Sequence, residues 1–268
     1  MSGRKGEREQ ATLETGKNVR QMHSPTPPRA PTPTLIIFAK APTPGRVKTR
    51  LTEVLTEEEA AALYEAFLRD TLTALAALVG RCGVALRLYH AGPRWPAALT
   101  PEGATVHRQQ PGAGLGARMA AAFRETFDDG AGAALIVGTD HPTLPPAFVE
   151  QGIAAVQQDR EAVCIGPTED GGFYLLGTGR PRPALSEGMT YSHAEVFSQT
   201  LARAVADADV PPVVLPEWYD VDRPADLRRL AAELAEGDAD RAPHTHRCLG
   251  ALTEAYPGAL RPTSAGAE

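Results

Sequence analysis

The chain has 268 residues, 43% of them hydrophobic, and its formal net charge is −6. This length can bury one sizeable core, and the acidic balance argues against nucleic-acid binding as the main function. The charge is uneven, because the residues before Leu35 carry a net +3 and the rest of the chain a net −9.

Two further features of the sequence bear on location. No apolar run is long enough to predict a membrane span, and no charged-then-apolar start predicts a secretion signal. Cys82, Cys164 and Cys248 are far apart and form no CxxC pair, which favours a reducing compartment. We expect a cytoplasmic protein that binds neither nucleic acid nor a membrane, and the sequence does not predict its oligomeric state.

Composition divides the chain into three parts. Residues 1–34 are polar and then rich in proline, which predicts a disordered leader. Residues 35–237 alternate apolar runs with helical periodicity, which predicts a single α/β domain of three layers around a mostly parallel sheet. We interpret residues 238–268 as an irregular tail.

Strands and helices are predicted in alternation along the middle part. Apolar runs predict strands at residues 35–39, 84–89, 104–108, 133–138, 162–166, 173–177 and 213–215. Helical spacing and capping signals predict helices after the caps Thr56 and Ser192 and others starting near Leu115, Pro146 and Pro224.

A basic loop follows the first predicted strand. Proline residues and Gly45 give the loop a fixed shape, and it supplies the cations Lys40, Arg46, Lys48 and Arg50, with no acidic residue nearby in sequence. Backbone N–H groups and fixed cations are what proteins use to hold polyphosphates. The loop therefore predicts polyphosphate binding, although a charged run can also be a solvated surface. Neither a Walker loop nor a GxGxxG motif is present.

A second loop is rich in glycine and precedes the helix predicted near residue 115. Gly112, Gly114 and Gly116 let the backbone approach a flat or anionic ligand closely, although such loops also simply make turns. Arg118, in the first helical turn, would either face a phosphate there or be merely exposed.

The most apolar of the predicted strands ends at Thr139 and Asp140. A carboxylate at the tip of a buried central strand is a natural ligand for Mg²⁺ or Mn²⁺, and the alternative is a helix cap. We interpret the neighbouring His141 as a polar contact and not as a ligand, because hard cations prefer oxygen.

Asp170, Gly171 and Gly172 connect two later predicted strands. The three residues are typical of a simple turn. Because this loop is expected at the ligand-binding edge of the sheet, its carboxylate and its backbone N–H groups could also hold an acceptor hydroxyl or phosphate.

Asp220 and Asp222 follow the last predicted strand, and alternation places them on the same side, with Val221 opposite. Two close carboxylates repel one another unless a cation lies between them. Asp222 also precedes Pro224 at the start of a predicted helix, so it is either a ligand or the cap of that helix.

Five motifs occur in order along the chain: FAKAPTPGRVKTRL, GLGARM, GTDHPTL, GPTEDGGFYLLG and DVDRPADL. Together they resemble the bacterial DUF2064 family over residues 35–234. Its members are called glycosyltransferase-like proteins of the GT-A type, associated with radical-SAM or selenodomain genes. Relatives include MobA-like and 2-phospho-lactate guanylyltransferase proteins. The resemblance implies the Rossmann-like fold of nucleotide-diphospho-sugar transferases.

The resemblance also implies a nucleotide site. Arg46 and Lys48 would contact a triphosphate, and residues 112–116 would lie near the base or the ribose. Asp140 and one of the two later aspartates, Asp220 and Asp222, would hold a catalytic Mg²⁺ or Mn²⁺.

Three functions are compatible with this pattern. The first is nucleotidyl transfer from an NTP to a small phosphorylated or hydroxyl acceptor, with release of pyrophosphate. The second is glycosyl transfer from a nucleotide-sugar, and the third is non-catalytic nucleotide binding. We favour the first, in which Arg46, Lys48, Asp140 and Asp222 are catalytic. The cation cluster suits a triphosphate, and Asp140 lacks the acidic neighbour of a DxD motif.

Overall fold

The computed structural model describes residues 31–109, 114–207 and 209–256. The predicted leader up to residue 30, Gly112 in the glycine-rich loop, and residues 257–268 lie outside the described residues. The predictions that concern them therefore stay predictions.

Seven strands of the described residues form the central sheet: β1 (Thr34–Lys40), β2 (Ala85–Ala91), β3 (Thr105–Arg108), β4 (Ala134–Val137), β5 (Val163–Pro167), β6 (Phe173–Thr178) and β7 (Val213–Val214). Their spatial order is β3-β2-β1-β4-β6-β5-β7. β6 runs antiparallel to both of its neighbours, and the other pairs are parallel. The predicted mostly parallel sheet is confirmed.

In the described part of the chain six α-helices flank the sheet: α1 (Glu57–Cys82), α2 (Leu115–Asp128), α3 (Pro146–Gln158), α4 (Val196–Asp207), α5 (Pro224–Glu233) and α6 (Pro243–Ala255). Short 3-10 helices span Thr49–Glu53, Ala97–Leu99, Pro183–Leu185 and Ala239–Arg241, and a π-helical turn spans Leu234–Asp238. None of the helices in the described part of the chain has the length and apolar character needed to cross a membrane.

The alternation of side chains in β1 explains the three layers. Leu35 and Ile37 point to one face and pack with α1, α3, α5 and α6. Ile36 and Phe38 point to the other face and pack with α2 and α4. A strand buried on both faces must be apolar at every position, which is why the run at the start of the domain has no polar interruption.

The register brings several loops to one edge of the sheet. Ile37 of β1 lies beside Val137 of β4, so the loops after these two parallel strands are neighbours. β6 runs the other way, and therefore its first residue, Phe173, lies at the same edge. The basic loop, the segment with Asp140 and the loop with Asp170 thus meet where ligands of open α/β sheets bind.

The predicted start of α1 is confirmed by its cap. The Thr56 hydroxyl accepts a hydrogen bond from the Glu59 N–H at 3.2 Å, and the Glu59 carboxylate accepts from the Thr56 N–H at 2.8 Å. This capping box satisfies two N–H groups that have no partner within the helix.

The helix predicted from a Ser192 cap begins later, at Val196. Ser192 has a φ of 70°, in the left-handed region, which interrupts a right-handed helix. The Phe197 N–H in the first turn donates instead to the Gly171 carbonyl, at 2.8 Å. The carbonyl of Gly171, in a loop distant in sequence, therefore caps α4 in place of Ser192.

The prediction of an irregular tail is wrong for α6. Leu249 and Leu252 of this helix are buried in the core cluster around α1. Its N-terminus is capped from outside the helix, because the buried Asp70 of α1 accepts the His244 N–H at 3.0 Å and the Thr245 N–H at 2.7 Å. A cap that is 174 residues away leaves no local signal.

Replacing Asp70 with alanine is expected to lower the free energy of unfolding by about 2–4 kcal/mol, because two buried N–H groups lose a charged acceptor. Urea unfolding followed by circular dichroism measures this. Asp128→Ala, at an exposed position at the end of α2, is the control and should change stability by less than about 0.5 kcal/mol. Equal midpoints for Asp70→Ala and the unsubstituted protein would show that the cap is unimportant.

Candidate active site

A cavity of about 400 Å³ opens at the edge of the sheet where these loops meet. One wall comes from β1 and α1, with Lys40 and Tyr64, and the opposite wall from β6 and the segment before α4, with Phe173 and Tyr191. Asp140 lies between the two walls. The cavity can therefore hold a small molecule between the strand tips.

Lys48, Asp140 and Asp222 form an ionic cluster beside this cavity. The Lys48 Nζ contacts Asp140 Oδ1 directly and lies 3.0 Å from Asp222 Oδ1. The Lys48 side chain is only 2% exposed, whereas the side chains of Asp140 and Asp222 are 48% and 40% exposed. One buried ammonium thus holds together two carboxylates that remain open to a ligand.

The backbone of the basic loop directs Lys48 inward. Gly45 has a φ of 70° and Lys48 a φ of 47°, both in the left-handed region, which a residue with a Cβ seldom adopts. Such strain persists where other contacts fix the residue, here the two carboxylates and the rings of Tyr64 and Phe67, 5.6 and 5.5 Å from Nζ.

The ionic cluster shifts the pKa values of Lys48 and Asp140. Burial alone would lower the pKa of Lys48, but the charges of Asp140 and Asp222 outweigh it, so that the pKa is raised above its ordinary value. Burial alone would raise the pKa of Asp140, yet the Lys48 ammonium lowers it to about 2. At neutral pH Lys48 is therefore positively charged and Asp140 negatively charged.

Asp220 and Asp222 have different partners. Asp220 Oδ1 lies 2.8 Å from His141 Nδ1, and this nitrogen also lies 3.2 Å from the Tyr219 carbonyl oxygen. Burial alone would lower the pKa of His141, but the Asp220 carboxylate outweighs it and the pKa is raised. Asp220 therefore orients His141, while Asp222 shares a cation with Asp140.

The helix α5, which begins at Pro224, is not capped by Asp222. Its N-cap is Arg223, and the Asp226 carboxylate accepts the N–H groups of Asp222 and Arg223 at 3.1 and 2.8 Å. Of the two roles that the sequence allows for Asp222, the structure excludes the cap.

The donor atoms of Asp140 and Asp222 suit a hard divalent cation. Mg²⁺ is commonly held by one or two carboxylates together with phosphates of the substrate. Within residues 31–109, 114–207 and 209–256, no three His, Cys, Asp or Glu side chains are grouped to hold a metal ion. The two aspartates therefore fit a site that a ligand must complete, and they do not fit a site built by the protein alone.

Tyr64 is a cavity residue that the sequence interpretation missed. Its hydroxyl accepts the Lys40 N–H at 3.1 Å and lies 2.8 Å from Thr139 Oγ1. Thr139 in turn donates to the Phe38 carbonyl at 3.3 Å. The Tyr64 hydroxyl thus links the ends of β1 and β4. In the sequence, the signal for this role was a phenol among the mostly apolar residues that α1 buries.

Tyr64→Phe is expected to lower the free energy of unfolding by about 1–2 kcal/mol, because the Lys40 N–H loses its acceptor and Thr139 a partner. Tyr191→Phe is the matched control, since its hydroxyl makes a single long hydrogen bond of 3.4 Å. Urea denaturation of both variants distinguishes them. If both substitutions lower the free energy of unfolding by the same amount, the hydrogen bonds of Tyr64 between β1 and β4 are unimportant for stability.

Gln109 and Arg118 form a polar pair at another part of the cavity. The Gln109 amide donates to the Tyr89 carbonyl at 2.9 Å, and its oxygen accepts from Arg118 Nη1 at 2.7 Å. The buried Nε of Arg118 has no hydrogen-bond partner, and no carboxylate of the described residues forms an ion pair with this guanidinium. Arg118 therefore retains donors for an anionic or carbonyl-bearing ligand.

The loop of Asp170 is a hydrogen-bonded turn that also borders the cavity. Asp170 Oδ1 accepts from the Thr168 hydroxyl at 2.6 Å and the Gly172 N–H at 3.0 Å, and the Gly171 N–H donates to the Thr168 carbonyl at 2.9 Å. Both glycine N–H groups are thus satisfied inside the loop. This is the simple turn that the sequence also allowed, and Asp170 Oδ2 takes no part in it.

The remaining predicted site residues are less closely assembled. Arg50 Nη1 lies 3.5 Å from Asp222 Oδ2, at the outside of the ionic cluster. Arg46 is exposed on the basic loop and does not line the cavity. Gly114 is the N-cap of α2. Gly116 is buried against the Ser186 carbonyl, so that a Cβ at this position would overlap the carbonyl oxygen.

Comparison with known proteins agrees with this architecture. Residues 71–193 match the family model described as an uncharacterized protein conserved in bacteria, DUF2064. A crystal structure of a candidate nucleotide-diphospho-sugar transferase from Desulfovibrio desulfuricans G20 is 30% identical, covers 84% of this chain and 97% of its own, and has a TM-score of 0.72. The chain belongs to the DUF2064 family. The predicted family and fold are both confirmed.

Two further solved structures match the chain at lower similarity. A nucleotidyl transferase from Methanothermobacter thermautotroptrophicus is 16% identical, with a TM-score of 0.47 over 76% of this chain and 98% of its own. A homologue of Mycobacterium tuberculosis Rv0371c from Mycobacterium sp. strain JC1 is 19% identical, with a TM-score of 0.47 over 76% and 97%. No curated protein matches the chain.

Proposed function

We propose that this DUF2064 protein is a transferase that acts on a nucleotide, and more specifically a nucleotidyltransferase. In this reaction an acceptor oxygen forms a bond to the α-phosphorus of an NTP. The bond from that phosphorus to the oxygen bridging to the β-phosphorus breaks, and pyrophosphate leaves. The reaction needs charge neutralisation and alignment more than covalent help.

The observation that carries the proposal is the combination of charges around one cavity. Asp140 and Asp222, held by Lys48, present carboxylates at the cavity edge. Lys40 and Arg118 line the cavity without a carboxylate partner among the described residues. Separate acidic and basic groups at one edge suit a polyphosphate that binds together with a divalent cation.

Each group has a role in the proposed reaction. Asp140 and Asp222 would hold Mg²⁺ or Mn²⁺, which when bound supplies positive charge to the phosphates. Lys40, which lines the cavity, would neutralise the departing pyrophosphate, and Arg46 would do so only where the phosphates extend to the exposed basic loop. Asp170 Oδ2 would accept a hydrogen bond from the acceptor and orient it.

Lys48 receives a different role from the one that the family resemblance implies. Two of its three N–H donors are used by Asp140 and Asp222, and its side chain is buried. It therefore acts first as the counter-ion that holds both carboxylates, and only its third donor could reach a phosphate.

Glycosyl transfer from a nucleotide-sugar is the second candidate. The name of the Desulfovibrio desulfuricans relative, a nucleotide-diphospho-sugar transferase, favours it. The sequence after Asp140 favours nucleotidyl transfer, because Pro142 occupies the position that the second aspartate of a DxD motif would have. In glycosyl transfer the leaving group would be a nucleoside diphosphate and not pyrophosphate.

A binding screen followed by product analysis tests the proposal. The four NTPs and common nucleotide-sugars are added with Mg²⁺, and the melting temperature is recorded, because a ligand of the native state raises it. We expect one NTP to give the largest increase, and pyrophosphate to be released from it when small phosphorylated or hydroxyl acceptors are added. Release of a nucleoside diphosphate from a nucleotide-sugar would establish the second candidate instead.

A further inference from the structure

Lys48 is an internal cation at a place where a metal ion is expected. Its Nζ contacts the carboxylates of both Asp140 and Asp222, and its side chain is almost fully buried. The left-handed backbone at this residue and the nearby ring of Phe67 fix the position of the ammonium. Moving it away would leave two carboxylates close together without a cation, which is unfavourable.

Cations reduce the charges of the two carboxylates even in the absence of a ligand. Lys48 neutralises one of the two negative charges, and the exposed Arg50, 3.5 Å from Asp222 Oδ2, weakens the other. A divalent cation that approaches the free protein therefore meets a reduced negative charge and the repulsion of an ammonium. It also meets only two carboxylates, whereas Mg²⁺ requires about six oxygen ligands, several of which are usually waters or phosphates.

We propose that Lys48 keeps the metal-free protein from binding a divalent cation tightly, so that the metal enters together with the nucleotide. The phosphates of the nucleotide supply both the missing negative charge and the missing oxygen ligands. The entry of the metal together with the nucleotide rests on the proposed function. The effect of Lys48 on metal affinity does not, since it can be measured without any nucleotide.

The same arrangement makes metal and nucleotide bind cooperatively. Each ligand must raise the affinity of the other by the same factor, because binding free energies are linked.

Replacement of Lys48 with methionine tests the inference. Methionine has a similar length but no charge, so the two carboxylates of the variant lack their internal cation. We expect Mn²⁺ to bind the nucleotide-free variant at least about tenfold more tightly than the unsubstituted protein. Electron paramagnetic resonance of free Mn²⁺ and titration calorimetry both measure this affinity.

Two further variants make the result specific. Arg118→Met removes a cation that lines the same cavity but bonds Gln109 and forms an ion pair with neither aspartate, and it should change the Mn²⁺ affinity by less than about threefold. The double variant Lys48→Met with Asp222→Asn should lose the increase in Mn²⁺ affinity that Lys48→Met alone produces. A variant in which the fold is merely disturbed should bind Mn²⁺ more weakly. An increase in Mn²⁺ affinity that requires Asp222 therefore cannot come from a disturbed fold.

The stability of the variant gives a second measurement. If Lys48→Met is unfolded in a chelator, Mn²⁺ should restore its far-ultraviolet circular dichroism or raise its melting temperature, because the metal replaces the ammonium. The inference is overturned if Mn²⁺ neither binds more tightly nor rescues the variant, or if the unsubstituted protein binds Mn²⁺ with micromolar affinity. Failure of every nucleotide to bind would remove the proposed function but leave this outcome unaffected.

Discussion

Asp140→Asn is expected to abolish the effect of a divalent cation on nucleotide affinity. An asparagine keeps the shape of the side chain, but it has no charge and is a poor ligand for a hard cation. Because the loss of outer contacts to metal ligands alone costs about 10–100-fold in affinity or activity, removal of this carboxylate should weaken binding of the metal–NTP complex by about 100-fold or more. Titration calorimetry with and without Mg²⁺ measures the difference.

Asp170→Asn is the matched control for this experiment. Asp170 also lines the cavity, but it lies on the side proposed for the acceptor and its Oδ1 serves the turn. Its replacement should leave the affinity for the metal–NTP complex within about twofold, an effect of less than about 0.5 kcal/mol. An equal loss in both variants would show that Asp140 has no special relation to the metal.

Gly171→Ala is expected to lower the free energy of unfolding by about 3 kcal/mol or more, because a disfavoured φ and a steric overlap act together. Gly171 has a φ of 87°, and a Cβ there would overlap the Ala194 carbonyl oxygen. The Gly171 carbonyl also accepts the Phe197 N–H at the start of α4. The substitution should therefore displace the cavity wall as well as destabilise the fold.

Gly188→Ala separates the two causes. Gly188 has a φ of 65°, but nothing lies within 4 Å of the position of a new Cβ. This variant should lose only about 1 kcal/mol, the cost of a left-handed backbone alone. Guanidinium unfolding of both variants measures the difference, and similar values for the two would mean that the Ala194 contact relaxes without cost.

Much of the fold could be predicted because its signals are local. The apolar run of β1 and the capping residue Thr56 each specify their element through neighbours in sequence. The helix α6 could not be predicted in this way, since its cap, Asp70, belongs to α1. Ser192 shows the opposite case, in which a suitable capping residue has a backbone conformation that the tertiary structure imposes.

The sequence predicted which residues meet at the candidate site, but not which ion pairs they form. The sequence indicates that basic residues of the first loop and aspartates of later strand tips meet at one edge. It does not indicate that Lys48 is buried between Asp140 and Asp222, because this depends on the left-handed backbone of that residue. Nor does it show that Asp220 pairs with His141, since alternation alone places the two later aspartates together.

The most direct test of the account is a crystal structure with Mn²⁺ and a non-hydrolysable analogue of the NTP that binds best. Anomalous scattering locates the Mn²⁺ independently of the surrounding atoms. The account predicts one ion in direct contact with the carboxylates of Asp140 and Asp222 and with the phosphates of a nucleotide that occupies the cavity. A nucleotide bound elsewhere, or an ion that contacts neither aspartate, would contradict it.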